Sequence, residues 1–183
     1  RIGFGPHAPY TVSNASFEKI MMLAEEVDAP VQLHLHETAE EISTSLKEFG
    51  ESPIQRLKSL GVLTPRSQAV HLTQCSDEER SILAQSGASI IHCPTSNLKL
   101  ASGYCDISAL NRADITVGLG TDSAASNNTL SMFDTMRTAA LLAKHQLNDA
   151  SAVPAKTALY HATLGGAKAV SYTHLRAHET RPY

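Results

Sequence analysis

Tryptophan is absent from the 183 residues, and aromatic residues make up only 5% of them. No apolar run reaches the roughly 18 residues that a membrane-spanning helix needs, so a membrane is excluded as a partner. Charge of one sign is missing too. Charged residues are 18% and the formal net charge is −3, which removes any argument for nucleic acid or an anionic membrane surface. There is no Cys-x-x-Cys pair. Cys75, Cys93 and Cys105 are odd in number and widely spaced. They read as free thiols in a reducing compartment, which places the chain in the cytoplasm. No Gly-x-Gly-x-x-Gly loop follows the first strand, which counts against a doubly wound dinucleotide-binding sheet. No signal peptide is evident, and the chain opens on Arg1, in what reads as mid-strand; an internal fragment is the expectation.

What is present is histidine, nine of them, in a chain 42% hydrophobic that fits one domain or part of a larger one. Histidine is the commonest metal ligand and a frequent acid–base group. Residues 31–38 read Val-Gln-Leu-His-Leu-His-Glu-Thr. Val31, Leu33 and Leu35 alternate with Gln32, His34 and His36, the period of a strand. His34 and His36 then share one face, and Glu37 falls where the strand runs out. Such a stretch can hold a metal and move a proton at one place. Taken alone, it fits a buried strand with hydrogen-bonded histidines better; the rest of the chain reverses that order.

The rest of the chain alternates strands with helices. Strands are expected at 2–4, 31–36, 68–72, 89–92 and 116–119, and loops at 5–10, 93–97 and 120–128. Helices are expected after Ser13-Asn14, at 39–49, from Pro53 to Gly61, from Ser76 to Gly87, at 130–144 and at 154–168. Ser52/Gln55 and Ser76/Glu79 have capping-box spacing, and Pro53 suits a first helical position. This alternation predicts a parallel sheet with helical crossovers. His7, His34, His71 and Asp122 stand at four of the five expected strand ends. In a (β/α)₈ barrel such ends converge on the face that carries active sites. Each residue also has a structural explanation: His7 packed on Pro6 and Pro9, His71 donating to a carbonyl, His92 as a buried hydrogen-bonder, Asp122 as a helix cap. Their recurrence at successive strand ends is what those explanations leave out.

Five ordered motifs carry a resemblance: Gly5-Pro6-His7-Ala8-Pro9-Tyr10-Thr11, His34-Leu35-His36-Glu37-Thr38, Ala69-Val70-His71-Leu72-Thr73-Gln74, His92-Cys93-Pro94-Thr95-Ser96-Asn97-Leu98-Lys99-Leu100 and Gly120-Thr121-Asp122. Together they resemble the amidohydrolase superfamily, and within it the branch of 5-methylthioadenosine/S-adenosylhomocysteine deaminases grouped with triazine hydrolases. The likeness covers about residues 1–169. It implies strands four to eight of a partial (β/α)₈ TIM barrel. The implied reaction is metal-dependent deamination of an adenosine derivative at C6, with release of ammonia. The alternatives are another aminohydrolase or chlorohydrolase acting on a purine, pyrimidine or triazine, or an inactive fragment.

The same resemblance implies roles. His34 and Asp122 would bind one divalent metal, zinc, with ferrous iron as the alternative. Asp122 would also accept a proton from the attacking water and contact substrate. Glu37 would bind substrate and protonate the ring nitrogen beside the attacked carbon. His71 would hydrogen-bond the nucleophile and stabilise the developing oxyanion. His7 would contact the purine. The implied partner is a small nucleoside, with a homo-oligomer possible for the full-length protein. His36 shares the face of His34, but the family's metal-binding His-x-His belongs to the first barrel strand, so His36 is assigned to packing. No lysine precedes His7, which implies a single metal. Ser123 stands where the family usually has glycine, which raises a question about the loop's backbone angles.

From Val170 onward the resemblance stops. Residues 170–183 have no apolar periodicity and read like a translated transposase adaptor from sequencing-library preparation. They are expected to form a non-native tail, so His174 and His178 are set aside as ligands.

Overall fold

The computed structural model of the chain describes residues 3–171. Strands β1 (Val31–Leu35), β2 (Ser67–His71), β3 (Ser89–His92) and β4 (Val117–Leu119) form one sheet in the order β1-β2-β3-β4. Every pairing is parallel, with His34 beside Val70, Leu35 beside His71, and His92 beside Leu119. Strand order that follows chain order, without reversal, is that of consecutive strands in a (β/α)₈ barrel, not of a doubly wound sheet with a switch point. The strand expected at 2–4 is reduced to a single parallel bridge from Phe4 to Val31, and Ile2 lies outside the described residues.

Helices supply the crossovers. Helix α1 (Asn14–Glu26) starts at Ser13, whose hydroxyl accepts from the Ser16 N–H. Helix α2 (Ala39–Phe49) ends at Gly50, which takes the left-handed conformation at φ 74° that glycine adopts without penalty. Helices α3 (Pro53–Ser59) and α4 (Asp77–Ser86) each open on the expected capping box, worth about 1 kcal/mol at the cap.

After β3 the structure departs from the expected order of elements. The expected loop at 93–97 is helix α5 (Pro94–Lys99), which Pro94 begins because its fixed φ suits a first turn. Helix α6 (Ile107–Arg112) was not anticipated, although Asp106 caps it through the Ala109 N–H at 2.9 Å. Within the expected loop at 120–128 sits the short helix α7 (Ala124–Asn127). Ser123 caps it in an ordinary extended conformation, φ −71°, so serine in place of glycine brings no strain. Helix α8 covers Met132–Leu147. The last expected helix is interrupted: α9 (Ala155–Tyr160) passes through a π-helical turn (His161–Gly165) into α10 (Gly166–Ala169).

The core lies between sheet and helices. Leu33, Leu35, Ala69, Ile90 and Val117 on the strands meet Phe17, Ile54, Leu57 and Ile107 on the helices. Each large aliphatic or aromatic side chain buried there contributes about 1.5–3 kcal/mol. Residues that alternate with them on β1 stay accessible: Gln32 is exposed and His34 half-buried. The period of two therefore leaves one face of β1 to the core and one to the site. Among the described residues no helix is long and apolar enough to cross a membrane. Cys75, Cys93 and Cys105 are all free thiols.

Candidate active site

The strand ends bring three histidines into line. His7 and His34 meet edge to face, ring centroids 5.0 Å apart. His34 and His71 are stacked at 5.3 Å. Glu37 Oε2 lies 3.8 Å from His71 Nε2. Asp122 stands at the end of β4, with Ser96 and Ser126 donating to its Oδ2 at 2.6 and 2.8 Å, and the Ser123 N–H to its Oδ1 at 2.8 Å. An open trough of about 450 Å³ runs below His7 and His34, past Gln32, Gln68 and Val70. A second concavity, about 800 Å³, opens beside Phe4, Ala29, Pro30, Arg66 and Val170. It sits where the strands begin and is lined by no described histidine, so the chemistry belongs to the other end.

These strand ends are also where the backbone leaves its usual conformations. His36 (φ 52°), His71 (φ 82°), Leu72 (φ 48°) and Asp122 (φ 58°) all have positive φ. A non-glycine residue held there costs about 1–3 kcal/mol and persists only where the surroundings over-determine it. At His36 the compensation is visible. The Glu41 carboxylate accepts from the His36 N–H at 3.0 Å and from the Glu37 N–H at 2.9 Å. Burial raises the Glu41 pKa, and these two bonds, each worth roughly 1.5–3 kcal/mol to a charged acceptor, oppose that rise while they hold His36 in place.

Electrostatics separates the histidines. The Nδ1 of His34 is 2.9 Å from the His7 carbonyl oxygen, which can only accept. The neutral ring of His34 therefore carries its proton on Nδ1 and has its lone pair on Nε2, the tautomer a metal requires. His71 Nδ1 donates to Asn97 Oδ1 at 2.8 Å, which turns Nε2 toward Glu37. Burial lowers the His71 pKa, partly offset by the Glu37 carboxylate. Burial pushes the Asp122 carboxyl up, but the bonds from Ser96, Ser126 and Ser123 outweigh it and hold the pKa below the usual carboxylate range. His36 is fully buried; its Nδ1 donates to the Gln74 carbonyl at 2.8 Å, and burial lowers its pKa. That side chain ties β1 to the segment after β2, in keeping with a packing role.

The donor chemistry of His34 and Asp122 suits a divalent metal, imidazole nitrogen and carboxylate oxygen being ordinary zinc ligands. The number does not suffice. Among the described residues no three histidine, cysteine, aspartate or glutamate side chains come together as a ligand set.

Several residues that shape the site were given no role in holding its side chains by the sequence, although Ser96, Asn97 and Lys99 lie in one of the quoted motifs. Asn97 orients His71, Ser96 and Ser126 hold Asp122, and Lys99 bridges to the Ala125 carbonyl at 2.7 Å. Ser96, Asn97 and Lys99 are thus bonded within the protein. Arg56 is buried and donates to the Pro9 and Val12 carbonyls at 2.7 and 3.2 Å, which fixes the loop bearing His7. An arginine at a helical position otherwise facing the core was the available signal.

The chain is similar to known proteins in sequence and fold. The profile of the "Amidohydrolase family" matches residues 1–175. The 5-methylthioadenosine/S-adenosylhomocysteine deaminase of Teredinibacter turnerae is 54% identical over 169 residues, which are 92% of this chain and 38% of that protein. An adenosine deaminase from Xanthomonas campestris, solved with bound zinc, superposes with a TM-score of 0.91 at 52% identity, over 93% of this chain and 39% of that one. The atrazine chlorohydrolase of Arthrobacter aurescens, complexed with zinc, gives 0.86 at 28% identity, over 94% and 38%. The chain thus spans less than half the length of each, and its sheet is part of their barrel. On these grounds, and on the order of its motifs, the chain belongs to the amidohydrolase family.

Proposed function

We propose that residues 1–169 form strands four to eight of a metal-dependent barrel enzyme that hydrolytically deaminates an adenosine derivative at C6. The proposed substrates are 5′-methylthioadenosine and S-adenosylhomocysteine. The full-length protein, called the parent below, would supply the remaining metal ligands, and residues 170–183 would form a non-native tail. The observation that carries the reading is the alignment of His7, His34 and His71 at strand ends, with Glu37 3.8 Å from His71 and His34 Nε2 left free to coordinate.

His34 Nε2 and Asp122 would hold the metal in part, and when bound it would activate water for attack at neutral pH. This chain's own side chains do the rest. Addition to the C–NH₂ carbon of a purine needs a proton on the adjacent ring nitrogen, and Glu37 delivers it as general acid. Neutral His71, protonated on Nδ1 by its bond to Asn97, offers Nε2 as an acceptor and so orients the O–H of the nucleophile. It donates to developing negative charge only in its protonated form, which Glu37 favours and burial opposes. Asp122, kept ionised by its three donors, accepts the proton of the incoming water. His7, exposed above His34, contacts the base. Asp122 then passes its proton to the amino group, the added O–H returns a proton to Glu37 as the carbonyl forms, and ammonia leaves.

The test is ammonia release from methylthioadenosine by the parent, with stoichiometric formation of the inosine analogue. The likeness to a chlorohydrolase, at 28% identity against 52–54% for the deaminases, supports a second reading as a triazine hydrolase. Chloride release from atrazine, with no ammonia from methylthioadenosine, would establish it instead.

A further inference from the structure

The chain uses one capping pattern three times, and one of the three behaves differently. At α3 and α4 the third helical residue reaches back to the N–H of its own cap: Gln55 to Ser52 at 3.0 Å, Glu79 to Ser76 at 2.9 Å. Helix α2 has the same spacing, Thr38 to Glu41, and Thr38 Oγ1 accepts the Glu41 N–H at 3.3 Å. Its carboxylate passes over Thr38 and takes the N–H groups of Glu37 and His36 instead. Glu41 is buried, and His36 has the left-handed φ of 52°.

The carbonyls of the same two residues are held from the other side. The Thr73 N–H donates to the His36 carbonyl at 2.8 Å, and Thr73 Oγ1 to the Glu37 carbonyl at 2.7 Å. Donor and acceptor of both residues are therefore fixed by groups outside the strand. An ordinary capping box stabilises a helix end and needs no such reach. A clamp on the backbone of Glu37 has a different effect: it sets where that carboxyl group emerges relative to His71.

We propose that Glu41 is a positioning residue for the reaction, acting through Glu37. The inference rests on the role given to Glu37 above. Glutamine at 41 keeps one acceptor oxygen and sets an NH₂ group against the second N–H, so the clamp opens on one side. A small misplacement of a reacting group costs up to about 100-fold in rate.

The experiment is a double-mutant cycle in the parent, with methylthioadenosine as substrate. Glu41→Gln is expected to lower kcat by about 10- to 100-fold with KM changed by less than about threefold. In a Glu37→Gln background, Glu41→Gln should lower kcat by less than about threefold more, because the group it positions is gone. Multiplicative losses, or a near-parental kcat for Glu41→Gln, overturn the proposal. Near-parental turnover in Glu37→Gln alone overturns the role of Glu37 and this inference with it. A parent inactive on methylthioadenosine overturns the proposed function and this inference with it; should Glu41→Gln fail to fold, amide hydrogen exchange in the unmutated parent decides whether the clamp exists. The His36 and Glu37 amides must exchange far more slowly than the neighbouring Thr38 amide; equal rates would mean that no clamp exists.

Discussion

His34 and His71 lie ring on ring, 5.3 Å between centroids and 25° between planes, on neighbouring parallel strands. His71 pairs with Leu35, whose side chain lies on the core face, so register alone would turn it away from His34. The positive φ of His71, 82°, breaks the strand alternation and lets its ring reach His34 at the same end of the sheet. A residue proposed to bind metal and one proposed to orient the nucleophile thus share a van der Waals surface, and the backbone fixes their separation.

Replacing Glu37 by glutamine in the parent should leave metal content unchanged and reduce turnover by about 10²–10⁴-fold, because an amide cannot deliver the proton. Steady-state kinetics beside elemental analysis checks both halves. Near-parental turnover would remove Glu37 from the mechanism.

Three substitutions separate ligands from packing. His34→Ala and Asp122→Asn in the parent should both lower metal stoichiometry and activity. His36→Ala should keep the stoichiometry and lower the melting temperature, since it deletes a fully buried ring and its bond to the Gln74 carbonyl. Metal loss with His36→Ala but not with His34→Ala would mean that the ligand is the other histidine of the strand.

Among substrates, an adenosine bearing a 5′ thioether should give the parent a higher kcat/KM than guanine, cytosine or a chlorotriazine. A spectrophotometric comparison across these compounds is sufficient. Preference for the triazine would favour the chlorohydrolase reading.

Acid should destabilise the fold through His92. Its ring is fully buried, neither nitrogen has a hydrogen-bond partner, and burial holds its pKa at about 3. The unfolded chain takes up that proton near pH 6.5. Below about pH 6.5 the unfolded state thus binds a proton that the folded state refuses until about pH 3. Stability contributed by the neutral ring is present above that window and falls as pH drops through it, by at most about 1.4 kcal/mol per pH unit. Buried His36, His71 and His161, also lowered, act in the same direction. Urea unfolding of the parent from pH 7 to 4.5 should show the decline, and His92→Gln should make it shallower by about one proton. An unchanged slope would mean that His92 is solvated or bonded in the folded protein.

What could be read from the sequence followed from periodicity and punctuation. Val31, Leu33 and Leu35 mark β1, and Ser52-Pro53 and Ser76/Glu79 announce their helices, because strand alternation and capping are local. Helices α5, α6 and α7, four to six residues long, are too short to display a helical period. His7, His34, His71 and Asp122 stood out as polar residues at strand ends. The residues that aim them did not, because Asn97 meets His71 across 26 positions and Arg56 meets Pro9 across 47, contacts that only the folded chain creates.

On its own, the 183-residue chain should show no deaminase activity, hold zinc weakly and be poorly soluble or oligomeric. Within the described sheet β4 pairs only with β3, and the other edge of β1 meets a single bridge to Phe4 and one bond from the His34 N–H to the His7 carbonyl. Unpaired strand edges recruit one another. Leu130 and Phe133 are 66% and 80% exposed, which adds apolar surface. Size-exclusion chromatography and an activity assay test this. A monodisperse monomer that deaminates methylthioadenosine would show that five strands' worth of barrel suffices.

The π-helical turn at His161–Gly165 inserts the equivalent of one extra residue between α9 and α10. One residue is about 100° of rotation in an α-helix. The side chains after Gly165 are therefore rephased against those before Tyr160, and Ala167, which an unbroken helix would set about half a turn away from buried Ala158, is buried too. At the point of rephasing, a Cβ on Gly165 would come within 2.4 Å of the Val117 carbonyl oxygen on β4. This stretch therefore behaves as a fixed spacer. Its length in residues, more than their polarity, determines which face the end of the described chain offers to the last strand.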